Sequence, residues 1–466
     1  MSEKTQAQLL KEQLFKKNKN GYFRANENDI DNAFDFAKDY SQFLNKSRTE
    51  RIFVKNAIAL AESHGFTEFD RTTTYNPGDK VYVNNRGKAL MLCVIGKEPI
   101  SNGVMIAAAH IDSPRIDLKA NPLYENDGLA YFKTHYYGGI KKYQWPTVPL
   151  ALYGTVVKAD GSKIDVAIGD KNDDPKFVIT DLLPHLSAEQ YKRTAPQLIR
   201  GEELNILIGS RPFNDDEESE AVKLNIMNIL YEKYGIVEKD FISAEFSLVP
   251  AFDVCDIGLD RSLVGGYGHD DRVCAYPAVM AAIDAVAPQK TIITVLADKE
   301  EVGSDGNTGL KSVYMKNFIY DLAKMQNTDG YVVLSNSKCL SADVNAAYDP
   351  TFSDPFEKNN CSVINGGVVI TKYTGSGGKS GTSDASAEYM GYVRNILDSN
   401  NVVWQTGELG KVDAGGGGTV AKYIANLDVD TVDLGVPVLS MHAPFEVISK
   451  LDLFMAYKAF LSFFTK

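Results

Sequence analysis

The sequence predicts an α/β protein: a mostly parallel sheet flanked by helices, interrupted by an inserted β-rich unit. Three observations predict it. Apolar runs such as KTIITVLA (290–297) are continuous and β-branched, as in strands buried on both faces. Segments with apolar residues at three- to four-residue spacing stand between these runs, and alternation of strand and helix builds a parallel sheet with both faces covered. From about Leu118 to Ala251 the texture changes to short strands, charges and turns.

The elements follow in order. Residues from about 28 to 65 read as helix, with Phe34, Phe36, Ala37, Tyr40, Phe43 and Leu44 on one periodic face. KALMLCVIG and GVMIAAAHID read as strands, the second ending at His110. YGTVVKADGSKIDVAIGD and the acidic RPFNDDEESEAV belong to the altered stretch. The pattern resumes near Phe252. DDRVCAYPAVMAAIDAVA reads as a helix whose start Asp270 or Asp271 caps. KTIITVLADKEE reads as strand, TGLKSVYMKNFIYDLAKMQ as helix and GYVVLSNS as a strand leading toward Asp343. GGVVITKYTG is a further strand, SDASAEYMGYVRNILDSN a helix with a Ser/Asp start, TVDLGVPVLSMHA a last strand run ending at His442, and LDLFMAYKAFLSFFTK an amphipathic closing helix. Candidate ligands lie on both sides of the altered stretch. Residues 1–117 and 252–466 are therefore assigned to one α/β domain and 118–251 to an inserted β-rich domain.

Composition excludes several classes. The 466 residues are 44% hydrophobic and 24% charged, ordinary for a soluble globular protein. A net charge of −12 argues against nucleic acid as a main partner. No apolar run reaches the ~18 residues of a membrane helix, and the polar N-terminus lacks the apolar core of a signal peptide. Cys93, Cys255, Cys274, Cys339 and Cys361 are scattered and odd in number, with no CxxC pair, which fits a reducing cytoplasm.

Five segments carry imidazoles and carboxylates at or just beyond strand-like runs: AAHIDSPR around His110, GHDDR around Asp270, DKEEVGS around Glu300 and Glu301, SADVN around Asp343 and SMHAP around His442. An open α/β sheet presents such positions to a crevice. Singly, each has an ordinary explanation: a core histidine satisfied by an aspartate, a helix cap, a solvated glutamate pair. Jointly they suggest two cations side by side, able to activate water at neutral pH. Nitrogen and oxygen donors without thiolate suit Zn, Mn or Co. Either aspartate of the Asp270–Asp271 pair has the chemistry to bridge two ions. One of Glu300 and Glu301 can bind metal while the other serves as general base. Asp112, two residues after His110, is placed to fix its tautomer. Of the other histidines, His64 reads as a helix-end residue, His135 as a surface residue of the insert and His269 as adjacent to the site without a required role. TGSGGKSGT resembles a phosphate loop, but Tyr373 stands where the first glycine of G-x-x-x-x-G-K-[ST] belongs and the next helix starts later, so nucleotide binding through Lys379 is a minor reading. Gly415 to Gly418 suggest close backbone approach or flexibility.

Taken together and in order, HIDSPRIDLK, GHDDRVCAY, DKEEVGS, SADV, DAGGGGT and LSMHAPFE resemble the aspartyl-aminopeptidase family of dinuclear zinc metallo-aminopeptidases, most closely its bacterial branch, across about residues 106 to 446. The resemblance implies a phosphorylase/hydrolase-like metallopeptidase fold and a β-rich insertion used in assembly. It implies that His110 and Asp343 bind one metal, Glu301 and His442 the other, and that Asp270 bridges them. Glu300 is then the general base, Asp112 the residue orienting His110, and a bridging hydroxide the nucleophile. It further implies a homo-oligomer, a tetrahedral dodecamer, in which a histidine of a neighbouring insert, here His185, reaches the reacting carbonyl. Lys372 resembles a family lysine near the substrate, which matches removal of an N-terminal Asp or Glu from peptides. A related dinuclear deacylase or carboxypeptidase uses the same metal chemistry. A non-catalytic assembly protein that keeps its metals for structure is a third possibility.

Overall fold

Nine strands form the central sheet of the computed structural model, which describes residues 4–466 apart from 17–18, 172 and 216–218. Part of the acidic stretch RPFNDDEESEAV lies outside the described residues. The sheet runs Thr67–Glu68, Lys80–Asn85, Ala89–Val94, Ile292–Ala297, Met105–His110, Lys338–Ser341, Asp430–Gly435, Val368–Thr371, Trp404–Thr406. Its four middle strands, from Ile292–Ala297 to Asp430–Gly435, are parallel. On both sides antiparallel pairs follow, so the sheet is mixed, with the expected parallel order at its centre.

Alternate residues of these strands face opposite layers. Ala107, Ala109, Leu340, Val432 and Leu434 join the core beneath Glu27–Asn45, Glu50–Glu62, His269–Asp284, Ala387–Ser399 and Lys450–Phe464. Ile106, Ala108, Ile293 and Val295 face Tyr314–Met325, Gly330–Ser335 and Ala421–Ala425. The closing helix, expected to be amphipathic, has eleven of its fifteen residues buried. Phe460 and Phe463 have no exposed surface, each worth roughly 1.5–3 kcal/mol of burial.

Two further expectations are corrected. The single helix over about 28–65 is two, Glu27–Asn45 and Glu50–Glu62, because Thr49 adopts an extended cap conformation and Ser47, Arg48 and Thr49 are buried between them. GYVVLSNS is not a strand: Gly330–Ser335 is helical, with Asp329 at its cap position, and the strand toward Asp343 is Lys338–Ser341.

Two other sheets matter to the site. Seven antiparallel strands between Arg115 and Pro250, ordered Lys163–Ile168, Leu150–Val157, Ala244–Pro250, Arg115–Asn126, Leu129–Tyr137, Ile206–Gly209, Val178–Ile179, enclose their own core around Trp145, Leu152 and Phe246. A five-stranded sheet runs Cys255–Ile257, Leu263–Gly266, Glu446–Ser449, Pro437–Leu439, Asn345–Ala346. No described helix is long and apolar enough to cross a membrane. All five cysteines are free.

Candidate metal centre

The donors gather where the chain passes from one sheet to another. His110 is the last residue of its strand, just before the chain enters the seven-stranded sheet at Arg115. Ala297 lies opposite His110 in parallel register, so the chain beyond it carries Glu300 and Glu301 to the same edge. Asp343 sits between Lys338–Ser341 of the central sheet and Asn345–Ala346 of the five-stranded one. Asp270 follows Leu263–Gly266, and His442 lies in the connection from Pro437–Leu439 to Glu446–Ser449. His110, Glu300, Glu301 and Asp343 thus lie at the carboxyl ends of parallel strands, as an open α/β sheet presents them, while Asp270 and His442 come in from antiparallel strands of the five-stranded sheet.

Within it two donor groups share one residue: His110, Asp270 and Asp343, and Asp270, Glu301 and His442. His110 Nε2 lies 3.1 Å from Asp270 Oδ1, and His442 Nε2 lies 3.2 Å from Asp270 Oδ2. The two imidazoles therefore address opposite oxygens of one carboxylate. His110 Nε2 is also 3.8 Å from Asp343 Oδ1, and His442 Nε2 is 3.6 Å from Glu301 Oε2. His442 is 36% exposed while His110, Asp270 and Glu301 are at most 3%, so the centre opens to solvent on the His442 side.

Supporting bonds fix these groups. His110 Nδ1 lies 3.0 Å from the Asp112 carbonyl and 3.4 Å from its carboxylate. The same buried carboxylate accepts the N–H groups of Glu300 and Glu301, each at 3.2 Å, and the Tyr137 hydroxyl at 2.8 Å. Among the described residues no backbone N–H of the following helix is seen bonded to the carboxylate of Asp270 or Asp271. Asp270 and Asp271 have non-helical backbone angles, and Asp271 Oδ2 accepts the His110 N–H at 3.3 Å. His269 is buried against Tyr40, whose hydroxyl is 2.8 Å from its Nδ1.

The donor set fits divalent cations. Glu301 Oε1 is buried with no hydrogen-bond partner among the described residues, an arrangement costly without a cation. Burial, then the neighbouring Asp270, raises the Glu301 carboxyl; burial, then Glu300, raises that of Asp343. Burial also raises Glu300, which belongs to neither donor group. Burial opposes charge on the imidazoles, yet the adjacent carboxylates prevail and His442 is raised to about 10.

Other sequence-predicted residues lie elsewhere. His185 is exposed on the short turn Pro184–Leu186 and belongs to neither donor group. Lys372, just past Val368–Thr371, is ion-paired with Asp384. Lys379 pairs with the other oxygen of Asp384 at 2.9 Å and lies 3.9 Å above the Tyr373 ring. The next helix in sequence starts only at Ala387, capped by Ser386, so the loop does not run straight into a helix N-terminus as a phosphate loop does. The Gly415–Gly418 run does serve close approach, since a Cβ on Gly415 would stand 2.1 Å from the Leu409 carbonyl oxygen.

Sequence reasoning missed Glu446. One of its oxygens accepts the His442 N–H at 2.7 Å and the other the Asp270 N–H at 3.1 Å, tying the two donor segments together. The signal was present in LSMHAPFE, four residues after His442. Ser113, whose hydroxyl donates to the Asp270 carbonyl at 2.7 Å, was missed too.

Comparison with known proteins bears on this centre. Residues 43–464 match the family model described as aminopeptidase I zinc metalloprotease (M18). A probable M18 family aminopeptidase 1 of Clostridium acetobutylicum is 47% identical over 460 residues, covering 96% of this chain and 99% of that protein. The crystal structure of an M18-family aminopeptidase from Thermotoga maritima superposes with a TM-score of 0.93 at 43% identity, covering 97% of this chain and all of the other. The S. cerevisiae mApe1 dodecamer, 21% identical over 92% of this chain and 96% of its own with a TM-score of 0.76, shares the fold. With a matched model across nearly its whole length and near-complete relatives above 40% identity, the chain belongs to the M18 family of zinc metallo-aminopeptidases.

Proposed function

We propose that this aminopeptidase removes the N-terminal residue of peptides with two divalent cations, zinc in the first place and Mn or Co as alternatives. His110 and Asp343 would hold one, Glu301 and His442 the other, with Asp270 shared between the two donor groups. The observation carrying this reading is the pair of imidazole Nε2 atoms on opposite oxygens of Asp270, at 3.1 and 3.2 Å. Bound there, the ions supply Lewis acidity and a water made nucleophilic at neutral pH.

The protein's own groups do the rest. Glu300 takes the proton of the attacking water on its carboxylate and returns it to the leaving amine. Asp112 fixes that glutamate through its backbone N–H while orienting His110. Lys372 meets the first side chain of the peptide, and an acidic one takes the place of Asp384 on its ammonium. Residues 118–251 form the assembly domain of a homo-oligomer, a dodecamer as in the yeast relative, within a phosphorylase/hydrolase-like fold and in the cytoplasm. There His185 stabilises the carbonyl oxygen in a neighbouring copy. Leu182, Leu183 and Leu186, exposed beside His185, support burial of that segment in an assembly.

The test uses metal-stripped protein, peptides beginning with Asp, Glu, Leu or Lys, a peptide with a blocked amine, and Zn, Mn or Co added back. Metal-restored cleavage of unblocked peptides alone is the expected result, and the ranking of first residues reads out the Lys372 pocket. Cleavage of the blocked peptide, or activity without metal, refutes the reading.

A further inference from the structure

We propose that Tyr137, Gly138 and Gly139, at the end of a strand of the seven-stranded sheet, are positioning residues that hold both donor groups in register. The proposal rests on the two-ion reading above. The strand Leu129–Tyr137 leaves its sheet directly beside the centre. Its last residue, Tyr137, donates its hydroxyl to Asp112 Oδ2 at 2.8 Å, and Asp112 faces His110 Nδ1. The Tyr137 ring is itself held by the buried Arg115 guanidinium, 3.9 Å from its centre. The next residue, Gly138, has φ +77°, and a Cβ there would lie 3.2 Å from Glu301 Oε2 and 3.3 Å from Pro114 Cβ. Gly139 then offers its carbonyl to His442 Nδ1 at 2.8 Å.

Three consecutive residues thus reach the support of one donor group and the donors of the other. A carbonyl accepting the proton on Nδ1 would leave the Nε2 lone pair free for a cation once the Nε2 proton is displaced, the tautomer a bound metal needs. Glycine at 138 is favoured twice over: by its left-handed backbone, and because an added Cβ would press on Glu301, which would have to shift by a few tenths of an ångström. None of Tyr137, Gly138 and Gly139 carries a metal donor of the centre. Their effect passes through Asp112, Glu301 and His442. Displacement of the seven-stranded sheet therefore alters the geometry in which the ions are held.

Zinc binding to metal-stripped protein, followed by competition with a chromophoric chelator, tests this without reading activity. The unaltered protein is expected to take up two equivalents. In Gly138→Ala the Glu301–His442 site should need about 10- to 100-fold more zinc to fill, the range for disturbed supporting partners, while the His110–Asp343 site keeps its affinity. Gly128→Ala is the matched control. It also places alanine at a positive φ, +75°, at the other end of the same strand, but has nothing within 4 Å of the added Cβ; it should bind both ions as the unaltered protein does. Equal zinc binding by the two alanine variants overturns the proposal. If Gly138→Ala does not fold, Tyr137→Phe decides: a weakened His110–Asp343 site supports the proposal and unchanged affinity at both sites overturns it. An unaltered protein that binds fewer than two ions overturns the two-ion reading and the proposal with it.

Discussion

Replacing Asp112 by asparagine tests how far the centre depends on a residue that need not touch metal. Its carboxylate is fully buried. It accepts two backbone N–H groups at 3.2 Å and the Tyr137 hydroxyl at 2.8 Å, with His110 Nδ1 3.4 Å away. An amide has one acceptor oxygen, so its NH2 must turn toward at least one of these donors. A buried donor left unpaired costs about 1–3 kcal/mol. Against this, the metal-free centre loses one negative charge from a crowd that includes Asp270, Glu300 and Glu301. The two effects oppose each other in the metal-free protein and reinforce each other in the metal-loaded one, where the charge on Asp112 strengthens His110 as a ligand.

Asp112→Asn should therefore change the metal-free melting temperature little. Zinc affinity at the His110 site should fall about 10- to 100-fold, or about 1.4–2.8 kcal/mol. With zinc saturating, kcat/KM should stay depressed, because the Glu300 backbone has lost its anchor. Chelator competition gives the affinity, calorimetry the melting temperature and a peptide assay the rate. A variant whose zinc affinity and saturated kcat/KM both lie within twofold of the unaltered protein refutes the reasoning.

Glu300→Gln should keep both ions, shown by metal analysis, and lose about 10²- to 10⁴-fold in kcat; turnover at the normal rate rules Glu300 out as the base. Gly435→Ala places a Cβ 1.8 Å from the Asp343 carbonyl oxygen, so it should lower stability by at least the ~1–3 kcal/mol of ordinary overpacking and weaken zinc at the His110–Asp343 site, measured by denaturant midpoint and zinc titration. Tyr40→Phe leaves the Nδ1 of buried His269 without its hydroxyl partner and should cost about 1–3 kcal/mol with little change in kcat/KM. Because the His442 imidazole is raised from 6.5 to about 10 in the metal-free centre, its contribution to stability is complete below pH ~6.5 and lost as pH rises toward about 10; zinc must expel that proton, so zinc affinity should rise with pH over this window, checked by titration in buffers of different pH.

The parts legible in the sequence are those with local signatures. The run 292–297 is apolar without interruption because both faces of the strand are covered, and all six residues are buried. His110, Glu301 and Asp343 stood out because each lies at or beyond the end of a parallel central strand, and the order of such a sheet brings those ends to one edge; Asp270 and His442 stood out only by residue type, since they reach the same place from the five-stranded sheet. The misread segment, GYVVLSNS, shows the limit. Its short apolar run suits a strand or one and a half turns of helix equally well, and what decides is packing: Gly330 lies so close to Tyr320 of the preceding helix that a Cβ would stand 2.0 Å from the ring. The supports of the centre were illegible for a related reason. Tyr137 lies 25 residues from Asp112, and Gly139 lies 303 from His442; no periodicity links them, and only the meeting of two sheets brings them together. His185 and Lys372 show the reverse: their roles came from resemblance, and within one chain neither touches the donors.

The centre also has a consequence for the fold. His110 belongs to the central sheet, His442 to a connection within the five-stranded sheet, Asp343 joins those two sheets, and the Gly139 carbonyl arrives from the seven-stranded sheet. This meeting point gathers buried carboxylates, which raise both imidazoles against the effect of burial, and Glu301 Oε1 has no hydrogen-bond partner among the described residues. Burial, with the neighbouring Asp270, raises the Glu300 and Glu301 carboxyls, so crowding these acids at the junction is costly without a cation. Cations that bind the folded centre and not the unfolded chain add RT ln(1 + [L]/Kd) to stability, about 2.7 kcal/mol at a hundredfold excess over Kd. Ions held as proposed above would act as cross-links between sheets as well as in the reaction. Metal removal should accordingly loosen the segments around 110–115, 139 and 440–446 before it melts the apolar layers under the closing helix. Hydrogen exchange on metal-free and zinc-loaded protein reads this directly. Equal protection in both states would mean that the three sheets hold the site open unaided.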